Sequence, residues 1–231
     1  MNTIHACLGA LALSGCGLIS SDITNFDLDL PSKTFSVDTS GWQVNQMAAD
    51  LYLGTSCASS PTVCSSAATN ACPMNCTGTC DTTTMKCDLG LQVAIHQTID
   101  LQSEKPELKT INDQPIIHVT IDSLTYAVSA NTLNVATPAM KVYVAPMSVM
   151  DPNDPMAQQI GTIDPVPAMA IVASKDMTYT PNGKQILMDT MGDFKNPFNV
   201  IVGSSLVLQM GDPVPTGKLD ASVHIKAHAA P

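Results

Sequence analysis

The stretch Leu89-Gly90-Leu91-Gln92-Val93-Ala94-Ile95-His96-Gln97-Thr98-Ile99-Asp100-Leu101 decides the fold class. Leu89, Leu91, Val93, Ile95, Ile99 and Leu101 occupy odd positions, while Asp88, Gln92, His96, Thr98, Asp100 and Gln102 occupy even ones. A period of two places each set on its own side of an extended backbone, so the stretch is a long β-strand buried on one face. Such a strand belongs to an antiparallel sheet whose dry face needs a second layer over it.

Toward the C-terminus the same texture recurs. Ser103 to Asn112, with Pro106, reads as a loop. Ile117, Val119 and Ile121 then alternate in one phase and Leu124, Tyr126 and Val128 in the other. A slip of one residue turns the wrong face inward, so a β-bulge or a strand break is predicted near Asp122 and Ser123. Met140, Val142 and Val144 make a short strand. Pro165 and Pro167 confine any strand in 160–173 to an edge or interrupt it. Pro181-Asn182-Gly183-Lys184 is a turn, and Gln185 to Met191 reads as one short helix ended by Gly192. Leu206, Leu208 and Met210 lead through a seven-residue Gly/Pro loop, 211–217, into the alternation of Leu219, Ala221, Val223, Ile225 and Ala227. The expectation there is an antiparallel hairpin. One-sided strands with little helix point to an all-β fold, an antiparallel β-sandwich of Ig-like or jelly-roll-like kind with at most one or two short helices.

Toward the N-terminus the texture changes. Cys57, Cys64, Cys72, Cys76, Cys80 and Cys87 are spaced C-x6-C-x7-C-x3-C-x3-C-x6-C among Ser, Thr, Ala, Pro and Gly. A segment with so few large apolar residues needs covalent or metal staples to be ordered. Structural zinc sites favour paired C-x2-C knuckles, none of which occurs, and the segment has no His, so disulfides are the expectation, with 15 pairings open. Upstream, Trp42 to Leu53 is ambiguous between helix and strand, with Trp42 an anchor in the core or at a domain edge. Phe35 and Val37 start one short strand, and Phe26, Leu28 and Leu30 alternate with Asp27 and Asp29 in another.

At the start of the chain, the apolar run Ala6 to Leu13 ends in Leu13-Ser14-Gly15-Cys16; the residues before it, Met1 to His5, carry no Lys or Arg. This arrangement resembles the lipobox of bacterial lipoproteins. The resemblance implies a signal peptide over 1–15 and lipidation of Cys16 by a diacylglyceryl thioether and a third chain, acyl groups of the palmitate type. Gly17 rather than Asp after the cysteine implies the outer membrane in the sorting pattern of such proteins. Two or three long chains, at about 0.8 kcal/mol per buried CH₂, hold a protein far more firmly than one. The expected organisation is therefore a signal peptide (1–15), a lipidated N-terminus with first strands (16–53), a Cys-rich insertion (54–88) and the main sandwich (89–231), to which 22–53 contributes strands.

Composition narrows the function. The ten basic residues are all Lys and the formal charge is −10, which argues against nucleic acid and against a polybasic grip on anionic lipid. No nucleophile elbow, metalloprotease helix, P-loop or dinucleotide fingerprint is present, and nothing calls for a cofactor. His96, His118 and His224 fall on wet strand faces; His228, about 13 Å along the strand from His224, cannot share a metal ion with it. Asp151, Asn153 and Asp154 offer hard oxygen ligands for Ca²⁺ but lack the glycine and distal Glu of an EF-hand, so a polar turn is the simpler reading. Met147, Met150 and Met156 nearby are soft enough for Cu(I). The expectation is a non-enzymatic envelope lipoprotein, a binding or structural module with the membrane and an envelope protein or polysaccharide as partners. A metal-binding lipoprotein using the Cys cluster or the Met and His groups comes second, and a cell-envelope hydrolase third.

Overall fold

A computed structural model describes residues 26–111 and 117–230, so the expected signal peptide over 1–15 and the expected lipidation site Cys16 lie outside the described residues. The chain runs β1 (Phe26–Asp27), β2 (Lys33–Asp38), a 3-10 turn over Thr39–Trp42, α1 (Gln46–Leu53), α2 (Thr62–Ala71), β3 (Cys76–Asp81) and β4 (Lys86–Ile99). Then come α3 (Leu101–Glu104), a 3-10 stretch over Pro106–Ile111, β5 (His118–Asn131), β6 (Met140–Pro146), β7 (Gln158–Ile163), β8 (Val172–Asp176) and β9 (Thr178–Tyr179). It closes with α4 (Gly183–Gly192), β10 (Phe198–Leu208) and β11 (Lys218–Ala230).

Two antiparallel sheets form a β-sandwich. In one, β1 and β2 follow each other along one flank of β11, and β5 then β8 lie on its other flank; the second has the order β3-β4-β10-β6-β7-β9. Period-two alternation drives the packing: Val119, Ile121, Leu124, Tyr126 and Val128 of β5 meet Val142 and Val144 of β6 and Val200 and Val202 of β10 in one core. α4 packs along β5 and β7 through Leu187 and Met191, and Phe194 follows it into the same core.

The phase slip in β5 is real and has a bulge at its centre. Lys226 of β11 stands opposite Ser123 and Ala227 opposite Ile121, so Asp122 is the extra residue. The bulge lets Ile121 and Leu124 both point inward, and it turns Asp122 toward His228, whose Nδ1 lies 2.9 Å from the carboxylate. A second bulge at Ser129 lies between the pairs Asp220–Ala130 and Ala221–Val128.

Two expectations are corrected. β10 and β11 do not form a hairpin, because β10 is already paired on both edges, to β4 and β6, while β11 belongs to the other sheet. The loop between them crosses from one layer to the other. It turns at Gly217 (φ +102°), where a Cβ would meet the Thr132 carbonyl at 2.2 Å. Helix also exceeds one or two short pieces: there are four α-helices among the described residues. Asn45 caps α1 by accepting from the Ala48 amide, and Asp100 caps the single turn of α3 by accepting from Ser103. α2 has no side-chain cap. β3 pairs with β4, so the Cys-rich segment forms an edge of the second sheet.

Deleting Asp122 should turn Ile117, Val119 and Ile121 out of phase and cost on the order of 3–5 kcal/mol, the range of large core truncations. Asp122→Ala, which keeps the count, should cost less than about 1 kcal/mol in the same urea titration. A second expectation concerns β2 and β11, which are bridged by Asp38 and Lys218 at 2.7 Å. That lysine, then Ser40, hold the Asp38 carboxyl down at about 2. A carboxylate depressed in the folded state stabilises it above the unfolded pKa of about 3.9 and loses that contribution as pH falls toward 2. Asp38→Asn should therefore flatten the fall in melting temperature between about pH 4 and 2, and an unchanged acid limb would count against the bridge.

Candidate functional site at the disulfide pole

Strand register gives the sandwich two poles. At one, Phe26 pairs with Ala229 and Phe198 with Ile99; at the other, Asp38 pairs with Lys218 and Leu208 with Leu89. The sheets are aligned across the layers by β2, whose Thr34 carbonyl accepts from the Gln97 side chain, and by the Lys33–Glu104 ion pair at 2.5 Å. All six described cysteines lie toward the Lys218 pole, where α1 and α2 cover the inward face of β3 and the start of β4.

There the six cysteines pair as Cys57–Cys80, Cys64–Cys87 and Cys72–Cys76. The first two tie α2 and the loop before it to the β3–β4 hairpin, and the third closes the turn between α2 and β3. Around them a second, smaller core gathers Trp42, Tyr52, Leu53, Ala68, Leu89 and Leu208. Tyr52 reaches through it: its hydroxyl lies 3.0 Å from the Cys64 carbonyl and 3.2 Å from that of Asp88. Burial, then the charge of Asp88, push this phenol up to about 12, so it remains a neutral donor. Gly78 makes the approach possible, because a Cβ there would meet the Cys64 carbonyl at 2.2 Å and the Tyr52 oxygen at 2.3 Å. Trp42 stands at the seam between the cores and donates from Nε1 to the Gln92 carbonyl at 2.9 Å. Beside it is an apolar cavity of about 40 Å³ lined by Val37, Leu133 and Met140 among others, far below the few hundred Å³ of a ligand pocket.

The outer surface of this pole is unusually apolar. Met47 and Leu51 are four residues apart on α1, so they share its outward face, 82% and 79% exposed, while Ala49, Tyr52 and Leu53 bury the other. The loop after β10 lies alongside, its Val214 amide donating to Gln46, and it exposes Met210. Exposed Met169 and Ile171 flank Ala170, whose carbonyl accepts from Asn131 at the same end. Met74, Met85 and Val207 add to the set.

The remaining candidates sit elsewhere and do not converge. Asp151 accepts from both the amide and the side chain of Asn153, and Asp154 from the Met156 amide, so both carboxylates cap turns. Met147, Met150 and Met156 are spread along that loop, which crosses the outer face of the second sheet. Asn199, wholly buried, holds it there by donating to the Met147 and Val149 carbonyls while accepting from Thr98. Sequence reasoning missed this residue: a single polar side chain carries no sign of the loop that will lie above it. Between this loop and β3 runs a shallow groove lined by Asn75, Thr77, Gln92, Met150 and Asp151, with no aromatic platform among its lining residues. His224 lies 2.6 Å from Asp29, His228 is engaged by Asp122, and His96 is on the other sheet. Among the described residues no three His, Cys, Asp or Glu are grouped to hold a metal ion.

No protein-family model matches the chain, and no curated protein matches it. Among solved structures it is similar to a chain in the cryo-EM structure of the semi-empty VLP of the giant freshwater prawn Macrobrachium rosenbergii nodavirus, at 11% identity over 100% of this chain and 95% of that one. The TM-score is 0.28, which carries no argument about either molecule.

Proposed function

We propose that the protein is a non-enzymatic lipoprotein of a bacterial cell envelope, anchored in the outer membrane through acyl chains on Cys16 and acting as a binding or structural module. The pairing of all six cysteines after Cys16 carries the reading. Disulfides of this density persist in oxidising compartments, to which a leader ending in Leu13-Ser14-Gly15-Cys16 would deliver the chain. With every thiol of the cluster in a disulfide, and with Asp151 and Asp154 capping turns, the module is favoured over a metal carrier.

The anchor also implies an orientation. From Cys16 to Phe26 the backbone can span at most about 35 Å. Phe26 is paired at the pole away from the disulfides, so the lipid would hold that pole toward the bilayer and turn α1 and α2 outward.

Cys16→Ser should release the protein from the membrane fraction into the soluble one, and unchanged fractionation would remove the basis for the location. Non-reducing peptide mapping should link Cys57 to Cys80, Cys64 to Cys87 and Cys72 to Cys76, with no thiol alkylated until reductant is added. Replacing both Cys64 and Cys87 by Ala should cost about 3 kcal/mol, and removing the short Cys72–Cys76 loop closer to 2, on loop-closure entropy. Six alkylatable thiols in the native exported protein would overturn the reading.

A further inference from the structure

We infer that the outward face of α1, centred on Met47 and Leu51, is a docking surface for a protein partner that presents an apolar patch rimmed by basic side chains. The inference rests on the anchored-module reading for its orientation only; the surface itself stands on the residues below.

The first ground is distribution. Of the large apolar side chains exposed among the described residues, Met147 and Met156 lie away from the disulfide pole, while Met150 lines the groove beside Asn75 and Cys76 on its flank. Met47, Leu51, Met74, Met85, Met169, Ile171, Val207 and Met210 are all toward it. Scattered exposed apolar residues are ordinary, but their concentration at one end marks an interaction surface. Methionine, unbranched and polarizable, moulds itself to an apolar partner.

Charge selects the partner. Residues 34–85 contain no Lys or Arg. Lys218, which flanks the pole, pairs with Asp38, and Lys86, which donates to the Gly54 carbonyl at 2.7 Å and keeps its charge, stands opposite Asp81 in the β3–β4 ladder. The carboxylates of Asp50, Asp81 and Asp212 accept from Gln46, from Thr83 and Thr84, and from the Gln209 amide, all neutral donors. Asp50 and Asp212 line one shallow groove together with Met210. The surface is thus apolar at its centre and, with Asp50 and Asp212 balanced by no cation among the described residues, negative on balance at its rim. A basic-rimmed partner complements it, whereas an anionic bilayer is repelled.

Stiffness is the third ground. α1 is fixed from beneath by Tyr52 and Leu53, and the segment after it by two cross-links to the β3–β4 hairpin, so little conformational freedom remains to be lost on association.

The test uses the full-length acylated protein in phosphatidylcholine vesicles and a fluorescent amphipathic helical peptide with Leu on one face and Lys on the other. Binding should weaken about tenfold or more in Met47→Glu/Leu51→Glu, weaken with added salt, and be unchanged in Met156→Glu. A peptide with Glu in place of Lys should not bind. Met47 and Leu51 are too exposed to matter for folding, and intact disulfides with an unchanged circular dichroism spectrum verify this. Equal binding of both peptides, or equal loss in Met156→Glu, would overturn the inference. So would sedimentation showing a dimer abolished by Leu51→Glu, which makes a second copy the occupant, or Leu51-dependent binding of soluble Cys16→Ser protein to anionic vesicles, which makes it lipid. Flotation of the wild type with the vesicles reports the anchor separately, and the peptide titration repeated on Cys16→Ser protein stays readable if the anchor fails.

Discussion

β4 presents one inward face to two cores, and the arrangement of the rest follows from that. Its residues Leu89 and Leu91 pack among the cysteines, Tyr52 and Leu53, while Ile99 packs with the main sandwich. The strand of the first sheet that lies over β4 is β2, only six residues against the 14 of β4, so the part beyond β2 needs another lid. α1 and α2 are that lid. Trp42 fills the seam where one cover gives way to the other, and its hydrogen bond to the Gln92 carbonyl fixes the seam to β4 itself.

The two cores are stabilised in different ways. In the main one, Leu, Ile, Val and Phe remove enough apolar area from water, at roughly 25 cal/mol per Å², to order the strands by burial alone. The lid cannot do this. α2 reads TVCSSAATNA, whose buried positions are Cys64, Ala68 and Ala71, and small side chains bury too little to offset about 1–2 kcal/mol of backbone entropy per residue. Lowering the entropy of the unfolded chain by cross-links supplies the difference. The same small residues permit the close approach at Gly78, so the helix that most needs a covalent tie is also the one that can lie nearly against the sheet.

How much of this was legible in the sequence depends on what a period of two can encode. It encodes which face of a strand is dry, and so β4, β6, β11 and the slip at Asp122 could be read directly. It does not encode which strand lies alongside. β10 and β11 alternate as a hairpin would, and nothing in their residues says that β10 has both edges occupied. α2 escaped for a different reason: Thr, Ser, Ala and Cys give no helical stripe to see, because its order is imposed through the cystines. The candidate surface was half legible. The cysteines announced a rigid, stapled segment, but the exposure of Met47 and Leu51 needed the fold, since Trp42 to Leu53 is compatible with helix or strand until Tyr52 is seen to face inward.

Nothing in the folding of α1 accounts for apolar residues at 47 and 51. The helix is N-capped by Asn45, buried through Ala49, Tyr52 and Leu53, and joined to the neighbouring loop by Gln46, so its position is determined without them. Polar side chains at both places would leave every one of these contacts intact and would lower the apolar area shown to water. The adjacent positions Gln46 and Asp50 are in fact polar, and they bond each other and the loop. A stripe that is apolar where folding is indifferent, bordered by a net negative charge and followed by a cross-linked segment, answers to a requirement from outside the chain.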